Sequence, residues 1–181
     1  MGGASKKSFR REEVVAYHEA GHAVIGLFLR YHPTLKGVTI IRTKENLGRC
    51  IYRRQSDFEP EVDTSGKTTQ RVIDRIVGLL AGMYAAKRLT GKMRWVGTEG
   101  DRERACELAA TMTGDAEETN LLLEWLMRKA ENNVAARWPF IVLLAKELLK
   151  KKAMTGREIR MFLRSDEVLD AAAEIMEKKG A

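Results

Sequence analysis

The chain has 181 residues and a net charge of +7 at pH 7, with 44% hydrophobic and 31% charged residues. That length suits one ordinary domain with its own core, the mixture is globular rather than disordered, and no apolar run reaches the roughly 20 residues a bilayer-spanning helix needs. The basic leader MGGASKKSFRREE has no apolar h-region, Lys6 stands where myristoylation needs Ser or Thr, and Cys50 and Cys106 lack C-x-x-C spacing, so a cytoplasmic protein with inert thiols and no membrane contact is expected.

Residues 1–8 are expected to be flexible. The first helix is predicted from about Arg10 to Tyr31, with Ser8 as a candidate cap, Glu12 and Glu13 in the first turn and Pro33 beyond its end. Val14, Val15, Ala16, Ile25, Leu27, Phe28 and Leu29 leave little of its circumference polar, so it should run through the middle of the fold. Short β-branched or apolar runs follow at 37–41 and 49–52, joined by a polar turn with Asn46 and Gly48, and predict one hairpin. TSGKT (64–68) imitates the end of a phosphate-binding loop. Glu61 stands where that loop needs its first glycine and no strand leads in, so it reads as the approach to a helix and no ATPase is expected. Val72, Ile73, Ile76, Val77, Leu80, Met83 and Tyr84 then recur at helical spacing until Gly91 ends the second long helix.

From Thr98 onward the chain reads as successive helical segments, with Pro139 at a first helical position and a last helix in 166–181. Basic residues are interleaved with acids, and the densest groups, KELLKKK and EKKG, fall near helix C-termini where cations suit the dipole. The positive charge therefore predicts a solvated face rather than a nucleic-acid groove. The expected fold class is mainly α, about six helices with a two-stranded β-ribbon, in one domain over residues 1–181.

Chemistry concentrates in AYHEAGHAVIG (16–26). His18-Glu19-Ala20-Gly21-His22 is H-E-x-x-H, and on a helix positions i and i+4 stack on one face, so both imidazoles can reach one ion. Zinc suits neutral imidazole; a reactive zinc site takes three protein ligands and keeps one position for water, whose proton Glu19 can take. The bland alternative, two ordinary histidines on an amphipathic helix, would cost desolvation free energy in so apolar a segment. Small Ala20, Gly21 and Ala23 further predict close approach of a neighbour. The third ligand is not in the local motif, because Ile25 and Phe28 occupy the glycine and histidine positions of the extended H-E-x-x-H-x-x-G-x-x-H pattern.

AYHEAGHAVIG, VTII, RIVGLLAGMYAA and GDRERACELAATM are similar in order and spacing to the peptidase domain of the FtsH family of zinc proteases, and LLAKELLKKKAMTGREI resembles its closing helices, so the likeness spans most of residues 8–165. The resemblance implies an FtsH-protease-like helical array and Asp101 as the third zinc ligand, with Glu99 and Glu103 as fallbacks. Read alone, Thr98-Glu99-Gly100-Asp101 is a capping box that would only tie down a helix start. AGMYAAKR stands where the family has GGRAAEE. The membrane anchor and AAA ATPase that precede the family's peptidase have no counterpart in these residues. The expected activity is zinc-dependent endopeptidase cleavage of unfolded or extended protein segments without its own ATPase, a separate unfoldase or ATPase being a candidate partner. Strand 48–53 is the candidate ledge for an extended substrate. The competing class is a non-hydrolytic FtsH-like module that binds metal or a partner. Oligomeric state and the role of His32 are left open.

Overall fold

Two long helices, α1 (Arg11–Phe28) and α2 (Gly66–Thr90), pack where both lack bulk. A Cβ on Gly21 would stand 2.7 Å from Ala85 Cβ and 2.9 Å from the Ala81 carbonyl oxygen, so only glycine lets the backbones come this close. The computed structural model describes residues 9–44, 46–93 and 99–180; the leader expected to be flexible, Ser8 and Thr98 lie outside them. Arg10 is the N-cap of α1 and makes no side-chain cap bond.

The first helix is shorter than its periodicity suggests. It ends at Phe28, three residues before the predicted end; Leu29 turns extended, and at Tyr31 a side chain of the neighbouring helix takes up the chain, the N–H donating to Asp74 Oδ2 of α2 at 2.8 Å. At the start of α2 the Ser65 hydroxyl accepts from the Thr68 N–H, which makes TSGKT a helix cap. Gly91 closes the helix at φ 69°, a left-handed conformation that glycine adopts without strain.

The ribbon is a three-stranded antiparallel sheet, not a two-stranded hairpin. β1 (Leu35–Thr39) lies between β2 (Arg49–Tyr52) and β3 (Ala153–Thr155), and Val38 stands opposite Cys50 on one side and Met154 on the other. β1 starts two residues earlier than the predicted run. β3, at three residues between two helices, is too short to show a period-2 pattern; it is held because Met154 buries against the sheet and the Ile40 N–H donates to the Lys152 carbonyl.

The described residues hold seven helices where about six were expected. α3 (Glu99–Ala110) and α4 (Ala116–Ala136) pack on α2; α5 (Trp138–Lys151) packs on α1; α6 (Gly156–Leu163) rests on β1 and α7 (Asp166–Gly180) on α5. Ile25, Ile76, Leu126, Ile141, Leu144 and Leu148, all fully buried, join these helices in one hydrophobic cluster around α1, the central helix of the sequence reading.

Candidate metal centre

His18 and His22 stack on one face of α1 with ring centroids 4.5 Å apart and planes at 90°. Asp101, in the first turn of α3, brings a carboxylate to the same point across 79 residues of sequence. The three nearest donor atoms form a near-equilateral triangle: His22 Nε2 to His18 Nε2 3.0 Å, His22 Nε2 to Asp101 Oδ2 3.1 Å, and His18 Nε2 to Asp101 Oδ2 3.4 Å. Zn–N and Zn–O bonds of about 2.0–2.1 Å at tetrahedral angles put adjacent donors about 3.3 Å apart, so the triangle has the size of one face of a zinc tetrahedron. The residues therefore fit the ion. Among the described residues these three form a group with metal-ligand geometry; the fallback acids Glu99 and Glu103 are exposed and outside it.

Several neighbours hold the triangle. The His22 Nδ1–H donates to the Gly78 carbonyl of α2 at 2.8 Å, which fixes the tautomer and leaves the Nε2 lone pair facing the other donors. Gly82, one turn on, leaves the room they need: a Cβ there would stand 2.7 Å from His22 Cε1 and 2.8 Å from His18 Cε1. Burial works against a proton on His22, but the Asp101 charge and hydrogen bond, with Glu19 and the Gly78 carbonyl, raise its pKa to about 9 without a metal. Burial likewise favours the neutral Asp101 acid, yet His22 and His18 hold it far below the usual carboxylate range. An anion pressed against two imidazole nitrogens calls for a positive charge at the centre of the triangle, and a divalent cation supplies it better than a proton.

Glu19 is only 5% exposed. Its carboxylate lies beneath Gly48, where a Cβ would come within 2.9 Å of Oε1, and it lines the same cleft as the three donors, a space of about 970 Å³. β2 forms one wall. Its alternate residues are bonded to the motif's own backbone: Cys50 Sγ–H donates to the Glu19 carbonyl at 3.3 Å and the Tyr52 hydroxyl to the His22 carbonyl at 3.1 Å. Sequence reasoning missed both, although RCIY at period 2 already put 50 and 52 on one face. Burial, with Glu19 nearby, pushes the Cys50 thiol well above its ordinary value, so it stays an uncharged donor as expected; Cys106 is instead exposed on α3.

His32, unassigned from sequence, fills a recess behind His22. Its ring meets Tyr52 edge-on at 4.8 Å, Nδ1–H donates to the Pro33 carbonyl at 3.3 Å, and a Cβ on Gly78 or Gly26 would stand 2.7 Å from Cδ2 or 2.9 Å from Nδ1. Burial is the main reason its pKa falls to about 4, so the ring is neutral at pH 7.

Comparison with known proteins gives a family for the stretch that carries these residues. The model of peptidase family M41 matches residues 6–115, which include the H-E-x-x-H motif and Asp101. A protein of Heterosigma akashiwo described as ATP-dependent zinc metalloprotease FtsH is 34% identical over 111 residues, 61% of this chain and 16% of that protein. The Bacillus subtilis protein of the same description is 33% identical over 116 residues, 62% of this chain and 17% of its own length. ATP-dependent zinc metalloprotease FtsH 1 of Symbiobacterium thermophilum is 38% identical over 97 residues, covering 54% and 15%. The matched part of the chain thus spans about a sixth of these relatives, and α4–α7 lie beyond the family match.

Proposed function

The chain belongs to peptidase family M41, and on that premise we propose that it is a zinc-dependent endopeptidase in which His18, His22 and Asp101 hold the ion and Glu19 is the general base. The observation that carries the reading is the donor triangle, two imidazole nitrogens and a carboxylate oxygen at 3.0, 3.1 and 3.4 Å. When bound, zinc lowers the pKa of water toward about 7 and polarises a carbonyl oxygen. The protein's own part is positional. His22 is locked by Gly78, Asp101 neutralises part of the ion's charge, and Glu19, whose carboxylate opens to the cleft, takes the proton of the attacking water and returns it to the leaving amine.

The substrate is read as an extended or unfolded segment. β2 is an edge of the sheet with no strand on its outer side among the described residues, and it is bonded to α1 at Glu19 and His22, so a peptide added to that edge would pass beside both. A folded substrate has no free strand to offer, and cleavage of one calls for a separate unfoldase.

Zinc content and casein digestion, compared between the wild type and Glu19→Gln, test the reading. The wild type is expected to carry one zinc and cut; the variant keeps the zinc and loses about 10²–10⁴-fold in rate. A wild type that holds no zinc, or holds it and cuts nothing, would favour the non-hydrolytic module.

A further inference from the structure

Two arginines stand one turn apart on α2 and differ in their partners. Arg71 is neutralised: its Nη2 pairs with Asp57 Oδ2 at 2.8 Å and its Nη1 donates to the Asp57 carbonyl at 3.2 Å. Arg75 forms no ion pair among the described residues. Its guanidinium lies 3.4 Å over the Phe58 ring, Nη2 donates to Gln55 Oε1, and Nε is buried with no hydrogen-bond partner. Burial, then the charge of Arg71, brings its pKa down to about 10, which leaves it cationic at pH 7. Asp57, already paired with Arg71, offsets that fall only in part and makes no ion pair with Arg75; a partly desolvated cation so placed is costly, and this one lines the cleft that holds the donor triangle and Glu19.

Its place along the cleft can be measured on two elements. On α2, Gly82 touches the ligand rings and Arg75 lies seven residues before it, about 10 Å along the axis, or about three residues of extended peptide. On the chain that carries β2, Cys50 meets Glu19, Tyr52 meets His22 and Gln55 meets Arg75, so the strand runs from the metal centre toward the arginine. A peptide adding to this antiparallel sheet in the same sense as its other strands runs the opposite way, from Arg75 toward Glu19.

We propose that Arg75 is a specificity-determining residue that receives the carboxylate of an aspartate or glutamate side chain two or three positions N-terminal to the cleaved bond. The inference rests on the peptidase reading and on the β2 ledge. A carboxylate supplies the direct ion-pair partner that Arg75 lacks among the described residues and matches its planar donors in charge and geometry; the isosteric amide of glutamine offers shape without charge. The substrate's own C-terminal carboxylate cannot fill this place, because the substrate continues past it to the scissile bond.

The zinc-loaded full chain is given a degenerate peptide mixture and its cuts are mapped by mass spectrometry, then a matched pair of peptides with Glu or Gln at the mapped position. Acidic residues are expected to be enriched there, and the Glu peptide to have about tenfold higher kcat/KM, mostly through KM. Arg75→Met should collapse that ratio toward one and Arg75→Lys should restore part of it, while melting temperatures report any loss of the Phe58 and Gln55 contacts. Equal cleavage of the pair overturns the proposal and leaves the peptidase reading standing. If no peptide is cut, the peptidase reading fails, and fluorescence anisotropy of the same labelled pair with Glu19→Gln decides Arg75 separately: preference for Glu supports it, and equal affinity sinks it.

Discussion

Against α2, helix α1 presents Gly21 to Ala81, Gly82 and Ala85; against α5 it sets buried Tyr17 on Trp138 at 5.6 Å and, at its exposed end, Phe28 beside Phe140 at 5.8 Å. The first contact is defined by missing side chains and the second by large ones. On the small-residue side the helix backbones come close enough for a carbonyl of α2 to bond His22, so atoms cannot be added; on the bulky side, ring and aliphatic volume fill the core, so atoms cannot be removed. The proposed metal centre sits on the first kind of surface, which suits ligands that need placement to a few tenths of an ångström, whereas the second kind mainly supplies stability.

The hardest strain on this contrast is Gly82→Ala. A methyl group there enters the space of both ligand rings, and moving either ring opens the triangle. Zinc affinity is expected to fall about 100-fold or more, the range for a lost supporting contact or beyond, with the helical circular dichroism retained. Chelator competition measures it; wild-type affinity in Gly82→Ala would mean that the rings do not need this space.

Leu144→Ala probes the other face. Leu144 is fully buried on α5, and truncation should cost about 2–5 kcal/mol in denaturant titration through lost contacts and a cavity. Zinc affinity of the protein that remains folded should change less than threefold. A loss of zinc as large as that of Gly82→Ala would show that the two faces are not separate in function.

The same contrast explains what could be read from the sequence. H-E-x-x-H and the small residues Ala20, Gly21 and Ala23 lie within one helical turn or two, so local spacing carried them, and Gly91 announced the end of α2 by its own backbone freedom. Asp101 came only from resemblance, because a carboxylate at a helix start has the same sequence whether it caps or coordinates; Thr98, the other half of that capping box, lies outside the described residues. β3 and the C-terminal end of α1 were set by distant partners, Val38 for Met154 and Asp74 for Tyr31, and no local pattern contains those. His32 was invisible for a related reason: its meaning lies in Gly26 and Gly78, two absences on separate helices.

His32 also gives the smallest expected effect, one that is fully present at neutral pH and is lost in acid. The glycine-lined side encloses this one neutral imidazole, whose pKa is about 4 against about 6.5 in an unfolded chain. Between those values the unfolded state binds the proton and the folded state does not, so stability rises with pH across the window. The contribution is complete above about pH 6.5 and is lost as the pH falls to about 4, at most roughly 3 kcal/mol. His32→Phe keeps a ring in the recess but removes the titration. Whatever that substitution costs at pH 7.5, the gap to the wild type should narrow toward pH 4 when both are unfolded by urea in chelator, since His22 and Asp101 titrate in both proteins and cancel. A gap that stays constant with pH would mean that the folded protein lets His32 take up its proton as readily as the unfolded chain does, and packing against Gly26 and Gly78 would then not be what keeps the ring neutral.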